Sequence, residues 1–171
     1  KVALSVAGGI EPVLEAAEVA RSSASQIDDL GAYDLYLRAR AILLSSARQI
    51  PEALHLTELA IARDPHCGPA FAWAAICCYR LILDGRSEHP ALHRLKGTNF
   101  ARRALEVAGD DTETRANAAA ALSYFGEDID VMTAAIHHAV KLNPSFARGW
   151  SLSAMRRVWA GQTDVQSADH R

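Results

Sequence analysis

The chain has 171 residues, of which half are hydrophobic and 22% are charged. This composition supplies enough apolar side chains for a core and excludes disorder along the whole chain. The formal net charge of −2 excludes a general electrostatic grip on nucleic acid, and no apolar run approaches the roughly 18 residues that span a bilayer. Because aromatics make up only 6% while alanine is abundant, we predict an all-α fold of closely packed helices.

Residues 1–24 are predicted to form an N-terminal helix that leaves an upstream module. A polar linker follows, in which Asp28 or Asp29 caps the next helix. The sequence begins with Lys1 rather than Met, and it ends in a polar tail after a strong helical pattern. Both features lead us to expect a fragment of a longer protein.

Three similar segments each end in a signal that terminates a helix. They read LTELAIARDP, ARRALEVAGDD and AIHHAVKLNP, and each has an alanine five residues before its proline or glycine: Ala60, Ala104 and Ala139. The spacing from Gly109 to Pro144 is 35 residues, and that from Pro65 to Gly109 is 44. A period near 34 residues is typical of tetratricopeptide helix pairs, and the longer spacing indicates an insertion of about ten residues.

The resulting array occupies residues 25–171 as about three and a half repeats, 31–64, 66–109, 111–143 and 145–161, the last without its second helix. Pro51 opens the second helix of the first repeat, because proline is tolerated in the first turn of a helix. Stacked repeats share one core, since a single helix pair cannot bury its apolar face alone. We expect this core to contain Leu35, Leu43, Leu54, Leu59, Phe71, Ile76, Leu105, Leu122, Ile136, Val140, Trp150 and Val158.

Four segments carry a family resemblance: AYDLYLRARAILLSS, FAWAAICCYRL, ARRALEVAGDD and the run NPSFARGWSLSAMRRVWAG. Together they resemble tetratricopeptide proteins over about 130 residues. With the opening SVAGGIEPVLEAAEVAR and the long second repeat, the chain is similar to the C-terminal repeat region of bacterial class III adenylate/guanylate cyclases. The resemblance implies an α-solenoid, a right-handed superhelix of antiparallel helix pairs. The metal-binding and base-selecting residues of a cyclase have no counterpart here, so cyclase activity is not carried over.

Residue types that support catalysis or metal binding form no recognised motif in this sequence. Histidines and cysteines are scattered over different predicted elements without a C-x-x-C or HExxH pattern, and no nucleophile elbow surrounds a serine. The pairs Asp28-Asp29 and Asp110-Asp111 precede predicted helices, where carboxylates cap the first turn. We therefore predict no enzyme activity, no cofactor and no metal for this chain.

The three cysteines, Cys67, Cys77 and Cys78, are too few and too clustered for a disulfide framework. Cys77 and Cys78 lie inside an apolar helical pattern, where a thiol behaves as a small hydrophobic side chain. We therefore predict a reducing environment and a cytoplasmic location.

First helices of the repeats are expected to line an inner groove, the usual binding surface of such a stack. By helical register we place these residues on that surface: Arg38, Ile42, Ala72, Ile76, Tyr79, Asn117, Ala121, Tyr124, Arg148, Ser151 and Met155. Part of the set is expected to belong to the core between repeats instead. The set lacks the repeated Lys/Asn arrangement by which some family members clamp a C-terminal carboxylate, so chaperone tails are not the expected ligand.

The insertion reads LDGRSEHPALHRLK from Leu83 to Lys96 and is flanked by basic residues. One interpretation is a solvated loop followed by the exposed face of the next helix. The other is a contact surface for an acidic partner or a neighbouring domain, since loops often carry function. The second interpretation points to Arg86, His89, His93 and Arg94.

Three functions remain open from the sequence. The first is a non-catalytic interaction module, the regulatory C-terminal region of a bacterial nucleotide cyclase or a related signalling regulator. It would bind a protein or peptide partner, or other domains of its parent chain. The second is self-association into a homodimer through the uncovered end of the stack. The third is a small-ligand sensor with a pocket between the N-terminal helix and the groove. No nucleic-acid partner and no membrane insertion are predicted.

Overall fold

A computed structural model of the chain describes residues 30–127 and 129–159, with the side chains of residue 131 and of residues 156–159 left out. The predicted N-terminal helix, the capping role of Asp28 or Asp29 and the polar tail lie outside the described residues. Within the described residues every regular element is helical and there is no strand, which confirms the all-α prediction.

Seven α-helices follow one another in the described part of the chain. They are α1 (Ala32–Ser45), α2 (Ile50–Arg63), α3 (Gly68–Leu83), α4 (Pro90–Val107), α5 (Thr112–Tyr124), α6 (Ile129–Leu142) and α7 (Ala147–Trp159). A short 3-10 helix, Ala47–Gln49, joins α1 to α2. No helix of this part is long and apolar enough to cross a membrane.

Local sequence signals explain where several of these helices begin. Pro51 lies in the first turn of α2, as predicted, and α3 and α4 also begin with a proline in the first turn, where no intrahelical N–H bond is lost. Asp111 caps α5, because its Oδ1 accepts hydrogen bonds from the backbone N–H groups of Glu113 and Thr114, both at 3.1 Å. The predicted capping role of Asp111 is therefore confirmed.

The three helix ends recognised as similar in the sequence share a pattern of backbone hydrogen bonds. The carbonyl oxygens of Ala60, Ala104 and Ala139 each accept a bond, 2.9 Å long, from the backbone N–H four residues later, and the carbonyl at that later residue accepts one from the N–H three residues further on. All three alanines are buried. The backbone dihedrals differ, because Asp64 is extended after the first of these helices and Ala108 is helical after the second.

Most contacts between helices join neighbours in the chain, and a second set joins every other helix. Each described helix packs against its neighbours in the chain, and the odd-numbered helices also contact one another, α1 with α3, α3 with α5 and α5 with α7. The larger buried cluster runs through α1 to α5, and a smaller one joins α5, α6 and α7. The odd-numbered helices therefore lie side by side along the length of the described molecule.

Most of the predicted core is buried, with one clear error. Leu59 and Leu105 are partly buried, and the Val158 side chain lies outside the described residues. Trp150 is 55% exposed, so its assignment to the core is wrong. Its indole lies over the α6–α7 turn, where Nε1 donates a hydrogen bond to the carbonyl oxygen of Pro144 at 3.0 Å. Phe146 is the aromatic residue of this region that is buried.

The insertion from Leu83 to Lys96 is a short loop followed by a helix. The segment between α3 and α4 covers residues 84–89, and Pro90 begins α4, which has 18 residues. Every residue of 90–96 except His93 is exposed, so the segment matches the interpretation of a solvated loop followed by the exposed face of the next helix. Proline at the start of α4 occupies a position where it is favoured.

Candidate functional site

One polar cluster crosses all four odd-numbered helices. It consists of Arg40 from α1, Trp73 from α3, Glu113 and Asn117 from α5, and Arg148 from α7, and we call it the Trp73 cluster. Trp73 is only 2% exposed and forms its centre. The guanidinium carbon of Arg40 lies 5.5 Å from the centroid of the Trp73 ring, and that of Arg148 lies 5.0 Å from it. Two cations therefore share one indole, an arrangement that the negative face of the ring stabilises.

Charge and hydrogen bonding hold this cluster together. Arg40 Nη2 lies 4.0 Å from Glu113 Oε1, which places a carboxylate near the two arginines. Arg148 Nε donates a hydrogen bond of 2.7 Å to Asn117 Oδ1. Glu113 and Asn117 are four residues apart on α5 and so lie on the same side of that helix. The side chains of α1, α3, α5 and α7 are thus linked across the stack.

Two hydrogen-bond donors of this cluster, one on α5 and one on α7, are buried without a partner among the described residues. They are Nδ2 of Asn117, a residue that is 1% exposed, and Nη2 of Arg148. A buried donor without a partner costs about 1–3 kcal/mol of stability. An amide and a guanidinium N–H both donate to oxygen acceptors such as a carbonyl or a carboxylate. An acceptor oxygen would satisfy either donor, and because both atoms are closed to solvent in this conformation, a side chain has to move before a ligand reaches them.

A buried phenol lies near the same carboxylate. Burial, and secondarily the negative charge of Glu113, raise the pKa of Tyr36 well above its usual value. The hydroxyl of Tyr36 therefore stays protonated at neutral pH and does not act as a base there.

The predicted groove residues fall into three groups in the structure. Asn117 and Arg148 are brought together in the Trp73 cluster. Tyr79 and Tyr124 form a tilted ring pair with centroids 5.2 Å apart, between α3 and α5. Ala72, Ile76 and Ala121 are fully buried in the core, so they do not line a groove. Of the others, Arg38 is half-buried, Ile42 packs on the core, and Ser151 and Met155 are exposed on α7.

Arg40, Trp73 and Glu113 are cluster residues that the sequence did not single out. Trp73 lies in a continuous apolar run, and such a run does not show which side of the helix faces a neighbour. One signal was available, because Trp73 precedes Ile76 by three residues and so shares a helix face with it. Nothing in the sequence indicates that Arg40 and Arg148 meet the same ring.

A second candidate surface is a cleft of about 450 Å³ between α4 and the turn that joins α5 to α6. Its floor includes Leu95 of α4 and Phe125 of the turn, and we call it the α4 cleft. Of the residues predicted for a contact at the insertion, Arg94 lines this cleft. Arg86 and His89 are exposed outside its lining, and His93 Nδ1 lies 2.6 Å from Ser87 Oγ. The four predicted residues therefore do not form one site.

A third cleft, of about 390 Å³, lies between α6 and α7 and is lined by His137, Val140, Lys141, Pro144, Trp150 and Ser153. The exposed indole of Trp150 forms one wall. His137 Nε2 lies 3.0 Å from Ser153 Oγ. We call this the α7 cleft.

The two Ser–His pairs do not assemble a catalytic site among the described residues. Neither the His93 nor the His137 imidazole has a hydrogen bond to a carboxylate among those seen in the described residues. Such a bond is what orients a histidine as a base. No group of three or more His, Cys, Asp and Glu side chains in the described ranges could hold a metal ion. All three cysteines are free, buried thiols in the described part, and burial raises the pKa of Cys67, Cys77 and Cys78.

The class that the structure itself defines is an all-helical protein with a polar cluster across its odd-numbered helices. Comparison with known proteins adds no identity: no family model, no curated protein and no solved structure matches the chain.

Proposed function

We propose that this chain is a non-catalytic protein-interaction module. In this proposal its helix pairs stack as in tetratricopeptide proteins, and the partly exposed side chains of α1, α5 and α7 around Trp73 form the binding face. The succession of contacts from α1 through α3 and α5 to α7 supports this stacking. The shared pattern of backbone hydrogen bonds after Ala60, Ala104 and Ala139 also supports it, because similar helix ends are expected of repeated units.

The observation that carries the proposal is the pair of unused donors in the Trp73 cluster. Asn117 Nδ2 and Arg148 Nη2 lie buried without partners in the described part of the chain, on the face where four helices meet. A peptide segment offers main-chain carbonyls and side-chain carboxylates, the acceptors that these groups lack. In the proposal the partly exposed Arg148 side chain moves to admit such a segment, and satisfying the two donors then favours the bound state.

Arg40, Arg148 and the nearby exposed positions of α7 indicate the shape of the ligand. Ser151 and Met155 follow Arg148 by three and seven residues, so they continue its side of α7. An extended peptide would contact Arg148 and then run along these exposed side chains. The resemblance to cyclase repeat regions makes a catalytic or regulatory domain of such a signalling protein the partner to test first.

A positional peptide library tests this proposal without requiring that the sequence of the partner be known. The labelled full chain is probed with soluble peptides in which one position is fixed and the others are mixed. We expect selection of residues with acceptor side chains at one position. We expect the selection to disappear in the double variant Asn117→Leu/Arg148→Met, because both donors are removed while both side chains keep a similar volume.

A matched control exists on the other side of the molecule. Lys96 Nζ and Glu58 Oε1 form an exposed ion pair of 3.1 Å between α4 and α2. The double variant Glu58→Leu/Lys96→Met removes a polar pair of similar size and should leave the selection unchanged. Equal selection by the chain and the Asn117→Leu/Arg148→Met variant, or no selection by either, contradicts the proposal.

Self-association is a second candidate function, and the α7 cleft favours it. Trp150 and Leu142 are both more than half exposed near this cleft, and large apolar side chains so placed often mark an interface. Sedimentation velocity across a range of chain concentrations tests this. A concentration-dependent dimer that Trp150→Ala converts to a monomer supports self-association, and a monomer at every concentration contradicts it.

A further inference from the structure

Gly97 of α4 makes room for the aromatic ring that forms part of the floor of the α4 cleft. A Cβ added at Gly97 would lie 2.4 Å from Cζ of Phe125 and 2.9 Å from Cβ of Cys78, so only glycine lets the Phe125 ring lie directly on the α4 backbone. Leu95 stands beside this ring and is 60% exposed. The floor of the cleft is therefore apolar and open to solvent.

The lining residues of α4 repeat with the period of a helix-packing surface. Ala91, Leu95 and Thr98 lie on one stripe of α4, spaced four and three residues apart, and Asn99 lies beside them. This spacing is the one by which a helix presents a face to another helix. Among the described helices, α4 packs only against α3 and α5 to any extent, and its stripe is not covered by a further helix.

Two arginines lie along this stripe. Arg94 is next to Leu95, and its Nη1 donates a hydrogen bond of 3.1 Å to the carbonyl oxygen of Phe125, which fixes its guanidinium over the ring. Arg102 lies one turn beyond Thr98, and its Nη2 lies 2.5 Å from Oε1 of Glu127, a carboxylate that also lines the cleft. Eight residues separate the two arginines, which places them about 12 Å apart along the helix axis. An amphipathic helix with two carboxylates two turns apart would meet Arg94 with one of them and replace Glu127 at Arg102 with the other.

We propose that the α4 cleft docks an acidic amphipathic helix of a partner protein. The apolar residues of that helix would lie on Leu95 and Phe125, and carboxylates seven or eight residues apart would reach Arg94 and Arg102. The amide of Asn99, which also lines the cleft, would meet polar groups at the edge of the bound helix. None of these residues belongs to the Trp73 cluster, so this site is additional to the proposed peptide-binding face.

The test uses a synthetic helical peptide of about 18 residues that carries two glutamates seven positions apart and two leucines between them on the same face. Binding to the full chain is followed by fluorescence anisotropy at about 50 mM salt. We expect Leu95→Ala to weaken binding about tenfold, and Arg94→Gln or Arg102→Gln to weaken it up to about fivefold each. Raising the salt to about 300 mM should also weaken binding, because exposed charge pairs are screened.

Matched control variants distinguish binding in the α4 cleft from nonspecific binding to the surface of the chain. Arg103→Gln removes a charge on α4 that pairs with Glu106 outside the cleft, and Leu142→Ala removes an exposed leucine on α6; neither should change the affinity. A peptide with lysines in place of the two glutamates should bind far more weakly. Equal binding of both peptides, or equal effects of cleft and control variants, overturns the proposal.

A second copy of the chain is the alternative occupant. If sedimentation shows that the chain alone dimerises and that Leu95→Glu makes it monomeric, the cleft is a self-interface and the proposal is overturned. The substituted side chains of the cleft are exposed, so circular dichroism and thermal unfolding should show an unchanged fold in each cleft variant.

Discussion

Helices α3 and α4 pack against each other more extensively than any other pair of described helices, yet their side chains meet very different surroundings. Every residue of α3 from Ala70 to Tyr79 is buried. In α4, which is two residues longer, only Gly97, Ala101 and Ala104 are buried. One helix is enclosed by protein, and the other presents most of its length to solvent.

The difference follows from what each helix contacts. Helix α3 packs against α1, α2, α4 and α5, so apolar side chains on all of its sides are covered. Helix α4 contacts only α3 and α5 to any extent among the described helices, and it does so through small residues spaced four and three apart. Small side chains let the backbone of α4 approach those of its neighbours closely. The larger side chains of α4 do not pack against another described helix.

The largest effect should appear when matched apolar residues of the two helices are truncated. Ile76 of α3 is 1% exposed, and Ile76→Ala should lower the free energy of unfolding by about 2–5 kcal/mol, because a cavity remains in a packed core. Leu95→Ala in α4 should change it by only about 0.5 kcal/mol, since no packed cavity forms. Urea denaturation of both variants measures the difference. Similar losses in the two variants would show that α4 is covered in solution.

Substitution of Gly97 tests whether the close approach of α4 to Phe125 and Cys78 stabilises the fold. Gly97→Ala should destabilise the chain by roughly 1–3 kcal/mol, because the added Cβ would lie 2.4 Å from the Phe125 ring. This outcome opposes helix propensity, which favours alanine over glycine by about 1 kcal/mol.

A double-mutant cycle provides the control for Gly97→Ala. In a Phe125→Ala background the ring is absent and only the 2.9 Å approach to Cβ of Cys78 remains, so the same substitution should cost less than in the unchanged chain. Thermal unfolding of the four variants gives the coupling between the two positions. An equal loss in both backgrounds would show that the Phe125 ring is not what requires glycine at position 97.

The contrast between the helices was partly visible in the sequence. The apolar run FAWAAICCYRL is typical of a helix covered on all sides, yet helical register placed Ala72, Ile76 and Tyr79 on the groove. The polar segment before Pro90 indicated a loop followed by the exposed face of a helix, and proline in the first turn marks where that helix begins. The small residues Gly97, Ala101 and Ala104 carried the correct spacing for a packing face.

The Trp73 cluster shows why the candidate site was harder to predict than the fold. Asn117 and Arg148 were singled out by helical register, which is a property of one helix at a time. Their meeting with Arg40 over Trp73 depends on how α1, α3, α5 and α7 are rotated against one another. That rotation is set by packing of the whole core, and the pattern of any single segment does not contain it.

The pH dependence of stability should report on the thiols enclosed in α3. Burial raises the pKa of Cys78 from an ordinary value near 9.0 to about 12. Because the folded chain holds this proton more tightly than the unfolded chain, the stabilisation is complete below about pH 9 and is lost as the pH rises toward 12. Each such thiol should lower the free energy of unfolding by about 1.4 kcal/mol per pH unit within that window.

Urea denaturation at several pH values between about 8 and 10 measures this slope. Cys78→Ala provides the comparison, because it removes one titrating thiol, and its stability should fall less steeply with pH than that of the unchanged chain. The slope is the quantity to compare, since the substitution itself changes the packing of α3. Identical slopes in the two chains would show that the thiol of Cys78 titrates normally in the folded protein.

The smallest effect is expected from the surface charges of α4. Lys96 and Glu58 form an ion pair with a nitrogen–oxygen distance of 3.1 Å, and both side chains are more than a third exposed to solvent. Solvent and salt weaken such a pair, so Lys96→Gln should change the free energy of unfolding by less than about 0.5 kcal/mol. Urea denaturation at low and high salt measures it, with Glu58→Gln as the variant of the opposite partner.

A near-zero result for both variants would sharpen the contrast with α3, in which every central side chain contributes to packing. The charges of α4 would then be unnecessary for folding, as expected of a helix whose exposed face is used for contact with a partner. A loss of more than about 1 kcal/mol in either variant would instead assign the basic residues of α4 to holding the fold together, as members of a network rather than as an isolated pair.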